Sequence, residues 1–405
     1  LKEFQENSNP IELNNNIKTE TDIIYKKLLE LSPKIFSLLN DQNVKLKKWE
    51  FIFSPWLRYF IVSIVYKRFF YLYLVKRKIN LNFLKLNVKE KVHTFIDHND
   101  FMLSTNNLDW NFLCLKIIHQ YERKTEKKYS FHNFEFKKKK IKLDNKFKRK
   151  VVDILSKYFY KLFLKKKFTY FTFPHRFSFL DKLIIFFKTN RGVYFEENII
   201  FEPNKYTKFE PSLDLRNKIY NILLNDEDLK LSYVTLISLF LPLSKLENYN
   251  QIKTKTSIRI KKNKNFKSLF TQGSHIDNEI KLHELYQLHE DKIKINVIQH
   301  GNNYDLIEKK YHTGIDHEYF FKNGLYTWGW SNNEKEIRIT SPRLMNFRRQ
   351  FLKLKNKNNQ NKILYVLGPS LIWNFPRSLH ISHNFYNQSE KLRINFFNSL
   401  DKDQK

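Results

Sequence analysis

Residues suited to chemistry gather in Ile293 to Trp330, which reads IKINVIQHGNNYDLIEKKYHTGIDHEYFFKNGLYTWGW. A short β-branched run, Ile293 to Ile298, stops abruptly at Gln299-His300-Gly301. Imidazole is the side chain best placed to act as base, acid or phosphate partner near neutral pH. At the carboxyl end of a strand His300 would face a cleft, and Gly301 would let a ligand approach the backbone. The plain alternative is a histidine that caps the following helix. Tyr304 and Glu308 follow, then His317-Glu318. A carboxylate beside an imidazole can orient a proton-transfer group, and the alternative is a surface pair at a helix start. Trp328-Gly329-Trp330 can stack on a base or sugar, or pack against a neighbouring domain. Four of the seven glycines (Gly301, Gly314, Gly324, Gly329) lie in this window, where the backbone needs positive φ or close approach.

A second cluster lies further on. Gly368-Pro369-Ser370 and Pro376-Arg377-Ser378 follow the strand-like run Ile363 to Leu367. Backbone N–H groups and Arg377 there suit a monophosphate or diphosphate, and a structural ion pair is the other reading of Arg377. No metal is expected: His312 and His317 stand five apart rather than four, and no cysteine cluster or Asp-rich motif is present. P-loop, GxGxxG and GxSxG patterns are absent.

These residues need rigid elements to hold them. With 405 residues, 41% hydrophobic and 28% charged, the chain is globular and long enough for two domains. Its 38 Phe and 22 Tyr supply ample apolar area to bury. Strand-like runs at Phe168 to Phe173, Val193 to Phe201, Ser268 to Thr271, Ile293 to Ile298 and Leu325 to Trp328 alternate with helical patterns such as Phe177 to Phe187 and Asp277 to Glu290. That alternation predicts an α/β fold with parallel sheets. Residues 1–20 are polar and expected to be loosely held, and Thr21 to Leu39 reads as an amphipathic helix. Trp49 to Val75 is the most apolar region. Its longest uncharged part, Tyr59 to Tyr66, falls far short of the ~20 residues that cross a bilayer, so a buried helix is expected. Tyr220 to Leu246 predicts one or two helices broken near Pro242, and basic Gln251 to Lys267 predicts a loop. The chain divides into 1–334, a linker at 335–362, and the start of a second domain at 363–405. Leu1 and the ending at Lys405 predict a sequence cut at one or both ends.

The formal net charge of +32 attracts nucleic acid or anionic lipid headgroups and says nothing about fold. A compositional drift toward Lys, Asn, Ile, Phe and Tyr accounts for much of it as ordinary surface. Cys114, the one cysteine, excludes an intramolecular disulfide and fits a reducing cytoplasm.

Three blocks carry a resemblance. The first is Leu38-Leu39-Asn40 with Trp49, Pro55-Trp56-Leu57 and Phe60, ending near Arg68. The second runs from Phe270-Thr271 through Lys281. The third joins Gln299-His300-Gly301 and Tyr304 to His317-Glu318 and Trp328-Gly329-Trp330-Ser331. Together, across nearly the whole chain, they resemble a transferase family associated with O-antigen and surface-polysaccharide gene clusters. Asn302, Asn303 and Asp305 stand where that family is Gly-rich, and Asn323 stands where it carries an acid. The resemblance implies a GT-B-like fold of two Rossmann-like domains, the N-terminal one with extra helices and the C-terminal one incomplete here. It implies a glycosyltransferase that moves a sugar from a nucleotide-activated donor, a nucleotide-diphosphate sugar or a CMP-activated ulosonic acid, to a growing surface glycan. His300 and Glu318 would be catalytic. Gln299, Gly301, Tyr304, Trp328, Trp330, Arg377 and Ser378 would bind substrate or donor. No cofactor beyond the nucleotide-sugar substrate is implied. The acceptor would be lipid-linked or a glycan, at the cytoplasmic, inner face of the plasma membrane with peripheral contact to anionic lipid, and no nucleic-acid partner is expected. The rival readings are a basic RNA-binding protein without catalysis and an inactive transferase remnant.

Overall fold

The computed structural model describes residues 10–39, 45–84, 90–105, 107–122, 134–136, 163, 168–172, 177, 179–195, 210–262, 266–272, 278–299, 324–331, 334, 336–341, 345, 348, 391, 394–395 and 398–399. Among them the chain forms nine α-helices: α1 (Pro10–Leu38), α2 (Leu46–Lys76), α3 (His98–Ser104), α4 (Leu108–Glu122), α5 (Phe179–Lys188), α6 (Leu213–Leu224), α7 (Leu231–Phe240), α8 (Tyr249–Lys262) and α9 (Glu279–Glu290). Strands β1 (Glu90–Val92) and β2 (Phe134–Phe136) pair in parallel as a small separate sheet. The main sheet has six strands: β3 (Phe168–Phe171), β4 (Val193–Phe195), β5 (Phe266–Thr271), β6 (Lys294–Ile298), β7 (Leu325–Trp328) and β8 (Glu336–Ile339). Their order is β4-β3-β5-β6-β7-β8 and every described pairing is parallel. The expected α/β class with parallel strands is what forms.

Helix α2 sits at the centre of the helical layer and contacts α1, α4 and α9. Sixteen of its 31 residues are buried, on all sides of the helix. That follows from its sequence, since an apolar run with no polar face has to be surrounded. Its aromatic residues pack edge to face and stacked against their neighbours: Trp49 on Phe53 at 4.2 Å, Trp56 on Phe60 at 4.8 Å, and Phe36 of α1 edge-on to Trp49 at 5.4 Å. Such pairs add about 0.5–1.5 kcal/mol each beyond area burial. No described helix is long and apolar enough to cross a membrane.

Charge is used sparingly inside this layer, and where it appears it joins elements. Arg68 of α2 donates to Glu122 of α4 at 2.6 Å and to Glu20 of α1 at 3.3 Å. Tyr233 of α7 donates to the same Glu20 at 2.7 Å. Arg216 of α6 is fully buried. Its guanidinium meets both oxygens of Glu247 at 2.8 and 3.0 Å and the carbonyls of Ser238, Leu239 and Leu241 at 2.8–3.0 Å. All five of its N–H donors are used, as a buried guanidinium requires. Glu247 also accepts from the backbone N–H of Ser212, the residue that caps α6.

Three expectations are corrected. Basic Gln251 to Lys262 is helix α8, not loop. Ile252, Thr256 and Ile260, spaced four apart, are buried as one stripe, and the intervening basic residues cover the outer turns. Helix α1 begins at Pro10, so part of the polar N-terminal stretch is ordered on the core through Ile17. Residues 336–339, assigned from the sequence to a linker, form β8, the sixth strand, registered on β7 from Leu325–Glu336 to Trp328–Ile339. Two helices form after Tyr220 with a break at residues 225–230, and the second ends at Phe240, just before Pro242 as expected. The Ile363 to Leu367 run lies outside the described residues.

Lys67 of α2 is a buried amine. It donates to Ser63 Oγ at 2.8 Å and lies 3.9 Å over the Trp110 ring of α4. Burial pushes it down from 10.5 to about 7, with the nearby Cys114 thiol opposing weakly. Above 10.5 both the folded and the unfolded chain are neutral at this position. Between 10.5 and about 7 only the unfolded chain takes the proton, so this contribution to stability falls as pH is lowered across that window. Each unit of such a shift is about 1.4 kcal/mol. Lys67→Met should therefore flatten the fall in Tm between pH 10 and pH 7.5 relative to the parent chain. An unchanged slope in paired thermal melts would contradict the assignment.

Candidate functional site

Strand order places the crevice. β3 runs to β4 on one side, and the chain then returns across it to β5 and continues outward through β8. Open parallel sheets bind ligands outside the carboxyl ends of the strands where the order reverses, here between β3 and β5. Thr172 follows β3 at that end. Its N–H donates to the Phe270 carbonyl at 3.1 Å, and its Oγ1 lies 3.1 Å from the Thr271 hydroxyl that ends β5. Thr271 in turn donates to the Gln272 carbonyl at 3.3 Å. The reversal point is thus closed by a line of short polar side chains.

The same edge continues across β6 and β7. Gln299 follows β6, and its N–H donates to the Tyr326 carbonyl at 2.9 Å, extending the ladder by one residue. Its side chain is 2% exposed. The amide Oε1 accepts from the backbone N–H of Trp328 at 2.7 Å and from the Trp330 indole Nε1 at 2.9 Å. Between the two tryptophans, Gly329 adopts φ +86°, a conformation that side chains disfavour, so the turn needs a glycine. That turn brings the Trp330 indole back over Gln299. The buried Thr327 hydroxyl donates to the Trp330 carbonyl and closes the turn from the other side. Trp330 also packs against the hydrophobic core. Among the described residues the Trp328 Nε1 is buried with no hydrogen-bond partner.

A charged cluster lies behind the edge at the start of α9. Parallel connectivity runs β5 to α9 to β6, so the N-terminus of α9 stands at the carboxyl end of the sheet. Asn278 caps α9 by accepting from Lys281 N–H at 3.1 Å. Glu279, buried at the first helical position, accepts from Lys245 Nζ at 2.6 Å. Lys245 also donates to the Ile52 carbonyl of α2. Burial holds its ammonium below the usual value against the pull of Glu279. The turn that carries Lys245 is fixed by Leu243 and Ser244, whose N–H groups donate to the Phe95 and Ile96 carbonyls at 2.9 Å. That strand-like pairing sets Asp97 next to the cluster. Asp97 is 0% exposed and caps α3 by accepting from Asp100 N–H at 2.9 Å through Oδ1. Oδ2 has no hydrogen-bond partner among the described residues. Burial, with the Glu279 carboxylate adding to it, pushes the Asp97 carboxyl up to about 8. Burial pushes the adjacent His98 down to about 3. At neutral pH this arrangement holds a protonated carboxyl and an uncharged imidazole side by side.

Of the residues expected from the sequence, Gln299, Trp328 and Trp330 are brought together at one edge. His300, Gly301, Tyr304, Glu318, Arg377 and Ser378 lie outside the described residues, although His300 follows Gln299 directly in the chain. Gly324 and Gly329 both take positive φ, as the glycine clustering requires. Asp97, Lys245 and Glu279 escaped the sequence reading. The signals for them were the Asp97-His98-Asn99-Asp100 cap and a single lysine in the apolar turn Leu241 to Leu246. Among the described residues no group of His, Cys, Asp and Glu is arranged to hold a metal ion.

Against known proteins, the family model described as LIC12162 family transferase matches residues 2–405. No curated protein matches, and no solved structure matches. The chain belongs to the LIC12162 family of transferases.

Gln299→Leu leaves two partly buried donors, the Trp328 N–H and the Trp330 indole, without their acceptor. Each such loss costs about 1–3 kcal/mol, so urea unfolding should show stability lower by about 2–4 kcal/mol. Indole emission should shift to the red as the turn opens. Unchanged unfolding with unchanged emission would show that the two bonds do not hold the turn.

Proposed function

We propose that this transferase is a glycosyltransferase that moves a sugar from a nucleotide-activated donor onto a growing surface glycan of the O-antigen or capsule type. The observation that carries the reading is the carboxyl edge of the parallel sheet. There Gln299 pins the Trp328–Trp330 turn at the chain position where His300 begins the next segment. Polar side chains at a sheet's carboxyl end, an indole N–H unmatched among the described residues, and a histidine next in sequence are the groups a sugar nucleotide calls for.

In such a transfer the acceptor hydroxyl attacks the anomeric carbon of the donor. The bond from that carbon to the phosphate oxygen breaks, the nucleotide leaves with the electron pair, and the hydroxyl proton passes to a base. His300 meets the leaving phosphate or takes the proton, with Glu318 as its orienter or as the base. Gln299 acts through the turn it holds, and Tyr304, Trp328 and Trp330 line the sugar and base. Arg377 and Ser378, in the second of two Rossmann-like domains of a GT-B arrangement, meet the phosphate. No metal is needed where helix N-termini and basic side chains neutralise the leaving group. The net charge of +32 suits docking at an anionic membrane face where lipid-linked acceptors reside.

We take Asp97, buried behind the sheet edge, as a second candidate for the base. Among the described residues its Oδ2 has no hydrogen-bond partner, and the Lys245 charge favours its ionised form. With its carboxyl near 8, the ionised fraction and hence the rate would rise between pH 6 and pH 8.

Two measurements test this. Thermal shift with CMP, UDP and GDP should show stabilisation by one nucleotide class, lost in His300→Ala. Salt-sensitive binding of a short RNA, with no nucleotide response and no effect of His300→Ala, would replace the enzyme reading with the basic-surface one. Asp97→Asn keeps a good helix cap, since Asn caps as well as Asp. It should lower transfer by about 10²–10⁴-fold while nucleotide stabilisation and Tm persist. Full activity in that variant would leave Asp97 a packing residue.

A further inference from the structure

The end of α9 away from the crevice borders a pocket of about 210 Å³ at the N-terminus of α2. Lys45 and Lys48 of that terminus line it, with Lys253 and Thr256 of α8 and His283 and Glu290 of α9. Along α9 the pocket runs from Glu290, eleven residues or roughly 16 Å from Glu279, back to His283, four residues or roughly 6 Å from it, and it shares no lining residue with the charged cluster at the carboxyl edge.

Three independent features of this pocket concern an anion. Its lining carries three lysines and one carboxylate; Glu290 accepts from Lys45 at 3.0 Å, and Lys48 Nζ also lies 5.8 Å from the Tyr249 ring. Next, α2 begins without acidic help: its cap position is Lys45, with no side-chain capping bond, and no acidic residue occupies its first turn. The positive end of a 31-residue helix, with its first-turn N–H groups, is therefore matched by cationic rather than anionic side chains. Helix starts of that kind suit a phosphate. Finally, Thr256 is 2% exposed, yet its hydroxyl has no hydrogen-bond partner among the described residues. Thr235, Ser238 and Ser257 satisfy their hydroxyls on the carbonyl four residues back, whereas Thr21 and Ser232, like Thr256, are buried in helices with no partner among the described residues. Of these three, Thr256 is the one that lines the pocket the lysines share. A buried hydroxyl left unmatched is costly unless a ligand completes it.

We propose that this pocket binds a phosphomonoester. A tetrahedral dianion meets the lysines that line the pocket and offers an acceptor for the Thr256 hydroxyl. The phosphate can come from a lipid headgroup or from a soluble phosphoester, and the two sources share this chemistry. The site is independent of donor binding at the sheet edge.

The test uses the full chain and titrates inorganic phosphate and glycerol phosphate by calorimetry at constant ionic strength, with chloride as reference. Saturable binding is expected. Lys48→Gln and Lys253→Gln should each weaken it roughly tenfold, and Thr256→Val several-fold. His300→Ala should leave it intact, which separates the fate of this site from that of the donor site. Lys218→Gln, on an exposed lysine paired with Asp214 of α6, is the control for overall charge. Sedimentation with phosphatidic acid vesicles, against phosphatidylserine vesicles of equal charge, then tells the sources apart. A preference for phosphatidic acid lost in Lys48→Gln assigns a lipid headgroup, and soluble binding without that preference assigns a free phosphoester. Absence of saturable binding, or equal weakening by Lys218→Gln, overturns the proposal.

Discussion

Helix α2 has apolar side chains on every face, and a helix of that kind is stable only when other elements surround it. Trp49, Phe51, Ile52, Phe53, Trp56, Phe60, Ile61 and Ile64 are essentially inaccessible to solvent. A fully buried side chain of this size contributes about 1.5–3 kcal/mol, so the helix is a large contributor to the core. The surrounding elements follow from it. Helices α1 and α4 cover two sides, and α9, which belongs to the sheet, covers a third. Through α9 the apolar helix reaches the carboxyl edge, because Ile52 supplies a carbonyl to the same Lys245 that holds Glu279.

Burial alone gives no direction, and the buried charges supply it. Arg216 with Glu247 fixes the start of α6 against the turn after α7, and Lys245 with Glu279 fixes the turn before α8 against the start of α9. Buried ion pairs often contribute little net stability, because desolvation offsets their attraction. Breaking one is a different matter, since it strands a charge in an apolar surround. Here the pairs select which turn meets which helix terminus. The same low-polarity surround that makes the pairing obligatory moves Asp97 and His98 away from their ordinary ionisation.

Much of the sheet was legible in the sequence, since β-branched and aromatic runs such as Ser268 to Thr271, Ile293 to Ile298 and Leu325 to Trp328 have the length and composition of buried parallel strands. The buried nature of α2 was legible for the same reason. Helix α8 was not, because its lysines dominate the composition while its buried stripe is only Ile252, Thr256 and Ile260. Strand β8 was not, because at Glu336 to Ile339 charged residues alternate on a strand that has one neighbour among the described residues. At the site, the Gln299 and Trp328–Trp330 motif announced itself through its glycine and abrupt strand end. Asp97 and Lys245 come from distant parts of the chain and meet only through the carbonyls of Phe95 and Ile96, a tertiary pairing that no local pattern encodes.

The Gln299 bond to Trp328 joins residues 29 positions apart, so it ties together the two ends of the segment that carries His300, Gly301, Tyr304 and Glu318. The entropy of closing a loop grows only slowly with its length, about 0.6 kcal/mol for each doubling. The clasp at the base therefore uncouples the sheet from whatever length or composition the segment has. The glutamine and the two tryptophans thus hold the frame on which residues 300–323 are carried.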